Sequence, residues 1–431
     1  MFGRMSFGSL FVLALLAPGV CWAQAGYGYG PAGPMASPYQ GQYVPPTAGA
    51  TTPNGGNRRT IYEEIPDDRG WLFDDSPLSK SLENSFRHAF FRTEYLLWSF
   101  SDPGRVVLGA PLLSGADPRN PANVPVNDRA TGAPIGFGVV PTLDSIQLRG
   151  NNGFRGTFGI PVGPGAFEAS AFIFATNSSN LNLTNQIKPR DLNDPFSFAT
   201  FVAQPVLVEG APSIQSLVYD VSYQAQLTTK VWGTEANYIF APPNAGAGDF
   251  LTFSPLVGVR YFNFQERLNQ TGVYEQSDGA VIPTFVAVTS RIDSSTINNS
   301  YGPQIGFRSE VNISRLTLGA EPKVMLGLNS YRTTLFTQNI LSNTEPNLSV
   351  IDTKTTFGPL ADLKLYSRFA LSQNLHVFAA YNLLWAGSVT RPYNNVVYNT
   401  SVIAGTGAFQ QNTRSTDVVL QGLSVGAEFR Y

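Results

Sequence analysis

The chain has a single cysteine in 431 residues, Cys21, and it lies in a leader-like N-terminal stretch. With that stretch removed, no disulfide, thiolate metal site or cysteine nucleophile can form. Histidine is almost as scarce. His88 and His376 are too few for a His-rich metal centre. Charged residues make up 13%, against roughly 25% in soluble globular chains. The 28 Lys and Arg nearly balance 30 Asp and Glu, for a net charge of −2. The basic excess that neutralises phosphate is absent, which excludes a nucleic-acid binder. Long apolar runs are missing too: beyond the leader, nothing approaches the roughly 20 apolar residues of a membrane helix. No motif calls for a cofactor. What the chain does have is ring and turn residues: 30 Phe, 18 Tyr, 41 Gly and 31 Pro.

The first 25 residues read as a cleaved signal peptide. Arg4 supplies the positive start, Ser6 to Val20 a short apolar core, and Ala23-Gln24-Ala25 a small-residue cleavage site. The rival reading, an N-terminal anchor, is opposed by the shortness of that core. Residues 26–57 carry no charge and are mostly Gly, Pro, Ala, Tyr, Gln and Thr. Such a linker has too little apolar side chain to offset the entropy of ordering. Residues 58–88 form a charged segment with the acidic pairs Glu63-Glu64, Asp67-Asp68 and Asp74-Asp75. Leu78, Leu82 and Phe86 recur every four residues there, as on a short amphipathic helix that lies at the periplasmic mouth or plugs the lumen. The acidic pairs lack the spaced ligand loop of a calcium site.

From residue 89 to 431 the pattern is alternation. In 217–228, Leu217, Tyr219, Val221, Tyr223, Ala225 and Leu227 share one face, and Asp220, Ser222, Gln224 and Gln226 the other. A period of two is a strand with one apolar and one wet face. Strands are expected near 90–100, 153–162, 165–176, 217–229, 231–240, 250–264, 284–293, 301–312, 315–328, 356–370, 374–386 and 418–431. Pro161-Val-Gly-Pro-Gly165 is a tight turn, whereas 101–152, 177–216, 265–283, 329–355 and 387–417 are long polar connections. Short turns at one end and long loops at the other are the arrangement of an outer-membrane barrel. The last strand ends on Phe429-Arg430-Tyr431. A closing strand ending in an interfacial aromatic suits a ring that must pair its last strand with its first.

Several blocks carry a family resemblance. They are Phe91-Arg-Thr-Glu-Tyr-Leu-Leu-Trp98, Leu108-Gly-Ala-Pro-Leu112, Gly153-Phe-Arg-Gly-Thr-Phe-Gly159 and Tyr301-Gly-Pro-Gln-Ile-Gly-Phe-Arg308. Two more lie near the end: Tyr381-Asn-Leu-Leu-Trp-Ala-Gly-Ser-Val-Thr-Arg-Pro392 and Gly422-Leu-Ser-Val-Gly-Ala-Glu-Phe-Arg-Tyr431. Over about 90–431 the chain resembles the putative beta-barrel porin family, type seven, of planctomycete bacteria. The resemblance implies a barrel and a pore, and no catalytic residue. Its C-terminal strand is also similar to those that the barrel-insertion machinery reads in outer-membrane proteins.

The expected fold is therefore all-β: an antiparallel transmembrane barrel of about 12 strands, within a range of about 10–16. Arg92, Glu94, Arg155, Glu168, Asp220, Glu235, Arg260, Arg308, Glu310, Asp362, Lys364 and Arg368 fall on the polar strand faces and are the candidate lumen residues. They either set ion preference or pair with one another and fill the ring. Tyr95, Trp98, Trp232, Tyr238, Tyr261, Trp385, Phe429 and Tyr431 are the candidate aromatic girdle; packing in a sandwich core is the rival reading. Gly422-Leu-Ser424-Val-Gly426 matches a nucleophile elbow, but it sits inside a strand and no histidine follows it. The expected location is the outer membrane of a Gram-negative-type envelope. Expected partners are outer-membrane lipid, the insertion machinery and small hydrophilic solutes, with no nucleic acid; a homo-oligomer stays open. Passive diffusion of solutes or ions is the first functional reading. A closed barrel acting as a scaffold through its loops is the second, and a secreted β-sandwich adhesin the third.

Overall fold

Alternating side chains here build one closed ring. The computed structural model describes residues 89–111, 124–127, 134–191, 193, 197–242, 250–277, 284–401 and 409–431. The expected leader (1–25), linker (26–57) and charged segment (58–88) lie outside the described residues. The ring strands, in chain order, are β1 (Phe90–Phe100), β2 (Asn151–Val162), β3 (Gly165–Phe174), β4 (Ser222–Phe240) and β5 (Leu251–Ser277). They continue as β6 (Phe285–Ile313), β7 (Leu316–Met325), β8 (Leu360–Ala370), β9 (Leu375–Thr390) and β10 (Ser415–Arg430). Each pairs antiparallel with its neighbour in the chain. β10 then pairs with β1, from Phe90 opposite Arg430 to Phe100 opposite Leu420. Closure removes the free edges that an open sheet would present.

The count is ten, inside the expected range, and the excess over ten has a physical cause. The separate strands expected at 284–293 and 301–312 are one strand, β6, and 231–240 is continuous with the upper part of 217–229 in β4. Each was divided where its polarity changes. On β5, Leu251, Phe253, Val257 and Val259 are exposed on the outer face, while Gln265 and Asn269 continue that same outward row. The inward row reverses in the same way, from Arg260 to Phe262, Phe264 and Leu268. β4 changes over between Lys230 and Trp232. A strand that is apolar outside and polar inside along one half, then the reverse, shows no unbroken alternation. The expected loop 265–283 is likewise strand as far as Ser277.

Four connections at one end are short: Gly163-Pro164, residues 241–250, Ser314-Arg315 and residues 371–374. Gly163 and Ser314 take φ of 59° and 54° to make their tight reversals. All the long connections leave the opposite end, as expected. There β5 and β6 run on well past the other strands, and the strands Leu328–Gln338 and Leu348–Phe357 extend the sheet from β6. Three loops also meet in a second small sheet. Its strand Ala199–Val208 pairs with Ala211–Tyr219, with Pro134–Val139 and with Asn399–Thr400. An apolar core fills the loop end of the ring, built from Trp98, Phe100, Phe174, Tyr223, Phe262, Phe264, Leu384 and Leu420 among others.

Candidate lumen site

The turn-end half of the lumen is occupied by charge. The pleat sends every second side chain inward, so β1 contributes Arg92 and Glu94, β2 Arg155, β3 Glu168, β4 Glu235, β5 Arg260, β6 Arg308 and Glu310, and β8 Asp362, Lys364 and Arg368. Glu321 and Lys323 of β7 and Glu428 of β10 join them. This makes seven cations and seven carboxylates, each within ion-pair distance of an opposite charge.

The pairs cross the ring as well as running around it. Both terminal nitrogens of Arg308 donate to the Glu168 carboxylate at 2.7 Å, and its Nε donates to Glu321 Oε2 at 2.8 Å. Arg260 bridges Glu235 and Asp362, the latter at 2.6 Å. Lys323 Nζ lies 2.9 Å from Glu235, 3.0 Å from Glu321 and 3.6 Å from Asp362. Glu94, fully buried, accepts from Lys364 Nζ at 3.1 Å and Ser424 Oγ at 2.8 Å, with Arg155 at 3.6 Å. Arg92 Nε donates to Glu428 Oε2 at 2.9 Å, and its guanidinium stacks 4.4 Å from the Phe378 ring centre. At the turn end Arg368 sits 3.4 Å from Glu310, which also accepts from the Tyr366 hydroxyl.

Burying so many charges is tolerable only because every one is paired; a lone charge there would cost several kcal/mol, on the order of 3–5. The network leaves a cavity of about 30 Å³ between Trp98, Phe172 and Phe262 on one side and the charged groups on the other. Its neighbourhood also explains the elbow-like motif. A side chain at Gly422 or Gly426 would collide with the backbone carbonyls of Leu97 and Thr93, so β10 can lie close against β1 only with glycine there. Ser424 between them is committed to Glu94.

Two expected positions need correction. Asp220 is not in the lumen. It sits in a bend between Tyr219 and Ser222, and its carboxylate accepts from the backbone N–H of Glu275 at 2.9 Å, beyond the loop end. The alternation of 217–228 that placed it there has its apolar face turned into the head core, with Leu217, Tyr219, Tyr223 and Leu227 buried. Trp98 is not on the outer surface. Strand parity puts it inward with Leu96, 1% exposed and packed on Phe174 at 5.1 Å between ring centres.

The other named aromatics point outward. Tyr95 meets Phe154 edge-on at 5.6 Å and Trp232 lies 5.0 Å from Tyr261, both near the polarity changeover. Trp385 is half-buried on the outward row of β9. Tyr238 packs on Phe240 at 5.0 Å near the turn end, where Phe429 and Tyr431 are exposed. Between these levels the outer face carries exposed Val257, Val259, Ile305 and Val425, a band suited to lipid rather than water.

Sequence reading missed Glu321, Lys323, Glu428 and the Glu266–Arg391 pair. Glu321 and Lys323 stand two apart in Ala320-Glu-Pro-Lys-Val324, the spacing of one strand face, so the signal was present. Glu266 falls in 265–283, whose polar pattern reads as loop and whose first part is strand.

A family model described as "Putative beta barrel porin-7" matches residues 90–431. No curated protein matches the chain. Among solved structures, the outer membrane protease OmpT from Escherichia coli is similar at 10% identity and a TM-score of 0.41, over 80% of this chain and 98% of that one. A monoaromatic hydrocarbon channel, the TodX deltaS2S3 mutant, is similar at 6% identity and a TM-score of 0.23, over 81% and 91%. A Pseudomonas aeruginosa FadL homologue stands at 10% and 0.21, over 79% and 89%. At such scores these likenesses carry no argument; the architecture rests on the ring and on the family match.

Proposed function

The chain belongs to the family described as "Putative beta barrel porin-7", and within that outer-membrane barrel family we propose that it is a closed barrel whose task is to hold a folded head at the loop end. One observation carries this reading: the lumen is packed at two levels. A charge network with a cavity of about 30 Å³ fills the turn-end half. The apolar core built on Trp98, Phe174, Phe262 and Leu384 fills the loop-end half. A hydrated solute would have to break several buried ion pairs and then cross that core. The head, assembled from separate loops through strand pairing, offers the surface for a partner or an envelope polymer. Export by cleavage after Ala25 and insertion through the C-terminal strand belong to the same reading, as does a periplasmic place for residues 58–88.

The second reading, passive diffusion of small hydrophilic solutes or ions, is favoured by the family's description. Liposome swelling separates the two. Vesicles carrying the protein should swell in small sugars no faster than empty vesicles; solute-size-dependent swelling would overturn the closed reading.

A further inference from the structure

The walls of the lumen cavity are not electrically balanced. Six cationic side chains line it against four carboxylates, because Glu94 and Glu428 lie behind their cations and do not reach the space. Two nitrogen donors on this wall make no hydrogen bond: Trp98 Nε1 and Arg260 Nη1. Trp98 is 1% and Arg260 7% exposed. A buried donor left unpaired is unfavourable, so two such donors on residues lining one small cavity call for an acceptor in it. Arg155, which also lines the cavity, lies over the Trp98 ring at 5.4 Å and adds its positive charge to the same corner. Phe172, Phe262 and Leu384 close the far side with apolar side chains.

We propose that this cavity binds one small monovalent anion of the halide class, accepting from Trp98 Nε1 and Arg260 Nη1. The volume of about 30 Å³ suits a single chloride-sized ion or roughly two waters. A halide satisfies both donors, and it is drawn by six lining cations whose partners Glu94 and Glu428 do not line the cavity; water would satisfy the hydrogen bonds alone. The site is the same in a sealed or a conducting ring, so its failure would leave the closed-barrel reading untouched.

The test uses the full chain in detergent. Crystals grown with sodium bromide should give an anomalous peak between Trp98 and Arg260. The unfolding midpoint should be higher in chloride than in gluconate at equal ionic strength, by linkage of binding to folding. Trp98→Phe should abolish that difference, and Arg260→Lys, which keeps the charge, should reduce it should the first variant not fold. Water density without anomalous signal, equal midpoints in the two salts, or an unchanged difference in Trp98→Phe would each overturn the proposal. A bromide peak with no chloride-dependent midpoint would mean an adventitious ion only, and would overturn it as well.

Discussion

Arg391 reaches into the loop-end core and donates to both oxygens of Glu266, at 2.8 and 2.6 Å, with its remaining nitrogen on the Ser101 carbonyl at 3.0 Å. Both side chains are almost wholly buried. Removing one partner strands the other in an apolar core, so Glu266→Leu should lower the unfolding free energy by about 3–5 kcal/mol. Glu266→Leu with Arg391→Met should cost much less, because no charge then remains unpaired. Urea unfolding of the single and double variants checks this. The tryptophans give a second residue-scale prediction. Among single-tryptophan variants, those keeping Trp232 or Trp385 should be quenched by brominated lipid chains, and the one keeping Trp98 should not. What could be read of single residues was their parity. It put Glu94, Arg155 and Glu168 on inward faces, and it would have put Trp98 beside them had its ring not suggested an interface. Partners across the lumen, such as Glu168 with Arg308, 140 positions apart, could not be read, because pairing across a ring depends on its closed register.

At the scale of the strand, the polarity changeover is the informative feature. Below it the outer row is apolar because lipid covers it, and the inner row is polar; above it water covers the outside and the head core fills the inside. From Leu251 to Tyr261, β5 has the length of about 9–11 residues that spans a bilayer. Past Tyr261 it continues to Ser277, roughly 50 Å of further chain at ~3.3 Å per residue. A charge on the outer row should therefore cost energy only below the changeover. Val257→Arg, at the middle of that span, should destabilise the inserted protein by about 2–4 kcal/mol, as charge does at a bilayer midplane. Gln226→Arg, on the outer row of β4 above it, should change stability by less than about 0.5 kcal/mol. Unfolding of both variants in vesicles measures the difference. Most ring strands were legible, because in β1, β3 and β8 the outer row stays largely apolar along the strand. β4 and β6 were cut in two because two environments share one strand.

For the whole molecule, ring and head are distinguishable by their titration. Tyr219, in the head, is buried, and burial pushes its phenol up to about 12 despite the Ser290 hydroxyl beside it. Tyr398 is raised for the same reason. A phenol held neutral in the fold contributes stability that is complete below the unfolded value of about 10 and is lost as pH rises past it. The head should therefore loosen as pH climbs from about 10 towards 12, with Tyr219→Phe extending its range. Proteolysis of the loops against pH, with barrel migration on gels as internal control, reads this out. The head itself was not legible in sequence, since its sheet joins loops hundreds of residues apart. Closure of the lumen was visible only as one of two readings for the inward charges. Single-channel recording in planar bilayers tests that closure most directly. The packed lumen predicts that inserted protein gives no discrete current steps above the bare bilayer; stepwise openings from the unmodified protein would contradict it.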